Sequence, residues 1–100
     1  MEFANLITFM RLFMTSIKYE KVIVVWQDIN SCNSAWNTEQ DLKDLVPAMC
    51  TTIGYLYEDN DNYIKTFATY SIDPTTEELD VGDAIVIPRG VIIKMEKLES

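Results

Sequence analysis

Two apolar, β-branched runs, Ala84-Ile85-Val86-Ile87 and Val91-Ile92-Ile93, are separated by only three residues, Pro88-Arg89-Gly90. Neither run reaches the roughly 12 residues below which an isolated helix is marginal in water. Both are bounded by turn-forming residues, and they read as two strands. Proline fixes one dihedral angle and glycine accepts positive φ, so the connection is a tight reversal or a kink. Arg89 is then held at the tip of a rigid turn.

The rest of the chain repeats this short-strand pattern. Lys21-Val22-Ile23-Val24-Val25-Trp26-Gln27-Asp28 is rich in β-branched residues and runs into the polar loop that follows Asp28, so it reads as a buried strand. Thr38-Glu39-Gln40-Asp41 places a capping hydroxyl three residues before a carboxylate, with Leu42, Leu45 and Val46 following at helical spacing. This predicts one short helix, ended by Pro47. Met49 to Tyr57 reads as a strand with Cys50, Thr52, Gly54 and Leu56 on one face and Met49, Thr51, Ile53, Tyr55 and Tyr57 on the other. Glu58 to Asn62 fits a hairpin connection, and Tyr63 to Ser71 its returning strand. The Asp-x-Asp spacing in the hairpin lacks the glycine and terminal glutamate of a calcium loop, so it reads as a solvated tip. Asp73-Pro74-Thr75-Thr76-Glu77-Glu78 is a turn followed by an acidic loop.

About five short strands with one short inserted helix, and no repeats or long linkers, predict a mainly β fold. A strongly bent antiparallel sheet closing into a small barrel of the SH3 or Sm-like kind accommodates so many strands in so few residues. Unpaired apolar edge strands predict pairing across subunits, hence a homo-oligomer. A single domain over residues 17–100 is expected, preceded by an extension over residues 1–16. In that extension Phe3, Leu6, Ile7, Met10 and Phe13 follow helical spacing. It is too short to span a bilayer and lacks the features of a signal peptide, so no membrane attachment is expected. Either it docks as a helix on the core or another subunit, or the domain starts at Met14.

Sixteen acidic residues against eight basic ones, with no histidine, give a net charge of −8. Such a field repels long nucleic acids and anionic membrane surfaces. A small anion in a shielded pocket is less affected, because local donors outweigh distant, screened charges. Cys32 and Cys50 have no further partners for a zinc site and read as reduced, partly buried thiols.

Several scattered positions carry a resemblance. Val24-x-Trp26-x-Asp28, Trp36, Thr52-Ile53-Gly54-Tyr55-Leu56, Ile85-x-Ile87-Pro88-Arg89-Gly90-x-Ile92 and Leu98 resemble a family of short bacteriophage proteins of unassigned function, over roughly residues 20 to 98. Residues 1–13 fall outside the pattern. The resemblance brings no catalytic motif. It implies a phage accessory protein acting inside the host cell, where such proteins often interfere with host machinery or defences.

Without histidine a serine or cysteine nucleophile lacks its commonest base, and no phosphate-binding glycine loop or metal cluster is visible. No catalytic residue, metal ligand or cofactor is assigned. Binding is better supported. Trp26, Trp36, Tyr55, Tyr57, Tyr63, Phe67 and Tyr70 make an aromatic-rich sheet on which nucleobases can stack, although such side chains also fill cores and interfaces. Trp36, in a polar loop, is either a lid or a ligand platform. Arg89 is the leading anion contact through its bidentate guanidinium, against an ion pair with Glu77, Glu78 or Asp83. Lys65 is a second cation on the aromatic strand. Asp28 either accepts hydrogen bonds from a guanine edge or caps the loop after it. Two functions follow: capture of a small nucleotide immune signal by an oligomer, or inhibition of a host protein by an acidic face. An Sm-like RNA binder suits the expected fold, and the charge argues against it.

Overall fold

A computed structural model describes residues 17–98 of the chain. The helical spacing of Phe3 to Phe13 and the start at Met14 lie outside the described residues. Seven strands follow in order: β1 (Lys21–Asp28), β2 (Ala48–Asp59), β3 (Tyr63–Phe67), β4 (Thr69–Ile72), β5 (Leu79–Gly82), β6 (Ile85–Pro88) and β7 (Ile92–Lys97). One short helix, α1 (Glu39–Asp44), lies between β1 and β2, and a 3-10 turn (Arg89–Val91) links β6 to β7. Five strands form one antiparallel sheet in the order β6-β3-β2-β1-β7, and β4 and β5 form a separate two-stranded sheet.

The link between β6 and β7 dictates the shape of the main sheet. The two strands occupy its opposite edges. In a flat sheet, four inter-strand gaps would separate them by about 19 Å, whereas three residues of 3-10 helix rise roughly 6 Å. The sheet therefore curls until its edges approach at that end. The core records the curl: Val22 and Val24 of β1, Ile64 of β3 and Ile87 of β6 are fully buried together, with Ile85, Val91, Ile92 and Met95 packed against them. The curl remains open, with no ladder between β6 and β7 among the described strands.

Two bulges sharpen it. On β7, Ile93 is an extra residue between the pairs Val25↔Lys94 and Trp26↔Ile92. On β2, Tyr57 is the extra residue between Leu56↔Thr66 and Glu58↔Lys65. Each bulge adds local twist and re-aims the side chains beyond it. On β2 the alternation matches the sequence up to that point, with Thr52, Gly54 and Leu56 turned inward and Met49, Thr51 and Ile53 exposed.

Four expectations need correction. The segment Tyr63 to Ser71 is not one strand: it breaks at Ala68, whose N–H donates to the Gly82 carbonyl at 3.2 Å, and β4 leaves the main sheet to pair with β5. β5 itself falls where an acidic loop was expected, with Leu79 and Gly82 partly buried and Asp80 exposed. Gly90 does not take positive φ; the chain turns with 3-10 geometry, the Ile92 N–H donating to the Arg89 carbonyl, and positive φ falls instead on Glu77 and Asp83. α1 forms with both halves of its capping box in place, yet it buries no residue, and Leu42 and Val46 remain exposed. It ends at Asp44 with Leu45 already extended, one residue ahead of Val46, where Pro47 disfavours helical geometry.

Gly54 is fixed by close approach rather than by φ. A Cβ there would lie 2.8 Å from the Phe67 carbonyl oxygen. Gly54→Ala should cost about 1–3 kcal/mol through forced backbone displacement. Urea denaturation measures it, and an unchanged midpoint would contradict this packing.

The turn before β5 is organised by Asp73, whose Oδ1 accepts from the N–H groups of Thr75 at 2.7 Å and Thr76 at 3.0 Å. The Thr76 donor first, then that of Thr75, holds the exposed carboxyl below its ordinary value of 3.8. Its folded pKa is depressed, so this contribution to stability is complete above 3.8 and fades as pH falls through the folded value. The Asp73 carboxyl resonance should titrate with a midpoint under 3.8. Asp73→Asn should flatten this part of the acid-side loss of stability.

Candidate functional site

The bulge at Tyr57 builds the site. Without it, Glu58 would share the inward face with Leu56; the extra residue turns Glu58 outward, opposite Lys65. Tyr57 is left 53% exposed at the edge of a surface cleft of about 300 Å³. Lys65 and Phe67 of β3, Val81 of β5, and Ala84 and Val86 beside and on β6 line the rest. Lys65 is the one charged side chain among the described residues lining it. Its Nζ stands 3.5 Å from Glu58 Oε1 and 5.3 Å from the centre of the Tyr63 ring.

Behind the cleft lies an aromatic cluster distinct from the main core. Phe67 is 1% exposed although it points to the outer side of the sheet. The Tyr55 ring stacks on it at 5.4 Å, and the Tyr19 ring meets it edge-on at 5.7 Å. Tyr19 also reaches Tyr57 at 5.3 Å, and Tyr70 of β4 meets Tyr55 at 5.6 Å in a T-shaped pair. Burial first, and then the neighbouring Tyr55 hydroxyl, push the Tyr70 phenol above its ordinary 10, so it stays neutral. Contacts of these kinds contribute roughly 0.5–1.5 kcal/mol beyond area burial. They give the cleft a firm floor.

Two of the residues singled out in the sequence therefore meet: Tyr57 and Lys65 line one cleft. Tyr55 supports it from behind. The other three candidate contacts, Asp28, Trp36 and Arg89, lie elsewhere. Asp28 Oδ1 accepts from the Ile29 N–H at 2.8 Å and caps the loop. Trp36 covers nothing among the described residues and is 92% exposed. Trp26 is half-buried against the core, its indole N–H donating to Thr52 Oγ1 at 3.0 Å.

Arg89 does form an ion pair, but with Asp59 rather than with Glu77, Glu78 or Asp83. Its Nε also donates to the Asn60 carbonyl at 3.1 Å, and its backbone N–H to the Asn62 carbonyl at 2.9 Å. The register explains the partner: Tyr63↔Pro88 pairing sets the turn after β6 beside the β2–β3 hairpin. Asn60 completes that tip, its Oδ1 accepting from the N–H groups of Asn62 and Tyr63 at 2.9 Å. Arg89 is thus a clamp between two turns.

Tyr19, Val81, Ala84 and Val86 were missed as site residues. The signal for Val81 was its alternation with Leu79, obscured by the acids around it. Cys32 and Cys50 are free and half-buried. Among the described residues, no three cysteine or carboxylate side chains gather where they could hold a metal ion, and no helix is long and apolar enough to cross a membrane.

Arg89→Ala should lower stability by about 1 kcal/mol, since a half-exposed pair contributes up to about that much and the Asn60 carbonyl retains access to water. A double-mutant cycle with Asp59→Ala, read by denaturation, should return a coupling of about 0.2–1 kcal/mol. Zero coupling would show the two turns to be independent.

No protein-family model matches this chain, nor does any curated protein or solved structure.

Proposed function

We propose that this chain is a non-catalytic binding protein that captures a small nucleotide in the Tyr57–Lys65 cleft, working as an oligomer of small SH3-like or Sm-like barrels. The observation that carries the reading is the composition of the cleft: aromatic and aliphatic walls with a single cation. A nucleobase stacked on the exposed Tyr57 ring gains roughly 1–3 kcal/mol, while the Lys65 ammonium meets the phosphate as a point charge. The barrel reading is supported by the strand order and by the 3-10 link between the two sheet edges. Arg89 yields its place as anion contact to Lys65, because Lys65 lines the cleft at a loose 3.5 Å from Glu58, whereas Arg89 lies outside the cleft with its donors directed at Asp59 and Asn60. In a phage accessory protein acting inside the host cell, stoichiometric capture would lower the free concentration of a nucleotide immune signal without chemistry.

A second reading rests on a different observation. Among the described residues, the salt bridges leave Glu77, Glu78, Asp80 and Asp83 without a cation. These acids surround β5 and form a surface suited to a basic face of a host protein, with association fastest at low salt. The same field opposes a long RNA partner.

Isothermal titration with nucleoside monophosphates and cyclic dinucleotides tests the first reading. One class should bind saturably. Tyr57→Ala should weaken that binding about tenfold or more through lost stacking, Lys65→Ala about tenfold or more through the lost charged contact, and Arg89→Ala should leave affinity within about twofold if it only clamps the turns. No binding by the folded protein across the panel overturns the reading. Capture of a host protein at low ionic strength, lost in high salt, would then favour the second.

A further inference from the structure

The bulge that exposes Tyr57 also sets Glu58 directly opposite Lys65. This carboxylate is fixed before any guest arrives. Its Oε2 accepts from Asn60 Nδ2 at 2.9 Å. Asn60 is itself held on every polar side: its Oδ1 accepts from the N–H groups of Asn62 and Tyr63 at 2.9 Å, its own N–H donates to the Tyr63 carbonyl at 3.1 Å, and its carbonyl accepts from Arg89 Nε at 3.1 Å. The hairpin tip therefore holds Glu58 Oε1 beside the cation of the cleft, 3.5 Å from Lys65 Nζ.

The ammonium is held less firmly. At 3.5 Å the contact is at the limit of a hydrogen bond, and the lysine side chain is 42% exposed on a flexible four-carbon stem. Lys65 can turn to a guest in the cleft it lines, but only within the field of a carboxylate that stays in place. Charge then limits the guest. One lysine and one glutamate sum to zero, so each negative charge on a guest is left without net compensation from the pair. A phosphodiester brings a single charge, whereas a terminal phosphate brings about −1.5 to −2 at pH 7. Asp80 and Asp83 lie close to Val81 of the cleft wall along the chain, and among the described residues no salt bridge reaches either. Their field acts in the same direction.

We propose that Glu58 sets the charge class of the guest: the cleft takes a nucleotide whose phosphate is a diester and discriminates against one that carries a terminal phosphate. The inference rests on the reading of the cleft as a nucleotide site. Glu58 stands beside Lys65 where a second phosphate charge would seek its partner.

Isothermal titration with matched pairs of guests tests it. The pairs are 3′,5′-cyclic monophosphates against 5′-monophosphates, and cyclic dinucleotides against the linear dinucleotides that end in a 5′-phosphate. The members of a pair share their bases and differ in a terminal phosphate. On the unaltered chain the cyclic member should bind more tightly. Glu58→Gln keeps an acceptor for Asn60 and removes the charge. In this variant, checked for native circular dichroism, the member with the terminal phosphate should gain roughly two- to fivefold over its cyclic partner, the range expected of exposed charge pairs. A purely structural ion pair would change both affinities alike. Tighter binding of the terminal phosphate by the unaltered chain, or a ratio within each pair that Glu58→Gln leaves unchanged, overturns the inference and leaves the nucleotide reading standing. No binding of any guest by either protein removes the nucleotide reading and this inference with it.

Discussion

The three-residue link from β6 to β7 is the constraint on which the rest of the molecule depends. It joins opposite edges of a five-stranded sheet, so the sheet has no flat alternative. Curling puts Ile85 and Ile87 from one edge against Ile92 and Met95 from the other, and the core is formed by residues that a flat sheet would keep far apart. The ends of the link are secured separately. Val91 packs on the core, while Arg89 reaches back to Asp59 and the Asn60 carbonyl. A cation between two apolar runs is therefore a tether, placed where a polar side chain can span two turns without entering the core.

The bulge at Tyr57 divides that sheet into a structural part and a working part. Before it, β2 follows strict alternation and contributes Leu56 to the core. After it, the side-chain phase is reversed, so Glu58 faces Lys65 on the outer surface and Tyr57 is freed from a cross-strand partner. Were the strand regular, Glu58 would stand opposite Ile64, the place Asp59 takes at the exposed end of the strand, paired with Arg89. One inserted residue thus sets Glu58 opposite Lys65 and an exposed aromatic ring at the mouth of a cleft.

The sequence made the strands legible wherever β-branched residues were dense. Lys21–Asp28 was readable to the residue, and the capping box at Thr38 located α1. It failed where pairing partners decide. Nothing local in Tyr63 to Ser71 announces a break at Ala68; the break exists because Thr69 to Ile72 finds Leu79 to Gly82, and that partner was hidden by its acidic neighbours. The site was half legible for the same reason. Residue type pointed to Tyr57 and Lys65, but the walls supplied by Val81 and Val86 arise from how two sheets meet. Arg89 was placed at the correct turn with the wrong acid, since its partner depends on the register of β3 against β6.

The two walls of the cleft are unequally supported. Lys65 and Val86 stand on strands laddered into the main sheet, whereas Val81 belongs to a two-stranded unit, and such units are marginal by themselves. Thr69 Oγ1 donating to Asp83 Oδ2 at 2.8 Å and the Ala68 N–H on the Gly82 carbonyl close β4 onto β5, and the contact of Tyr70 with Tyr55 seats the pair against the main sheet. The buried Phe67 ring stacks on that Tyr55 ring and also lines the cleft. One face of Phe67 thus serves the cleft while the Tyr55 ring stacked on it carries Tyr70 of β4. The floor of the cleft and the seating of the β4–β5 unit draw on one set of contacts, so the width of the cleft follows the packing of the aromatic cluster.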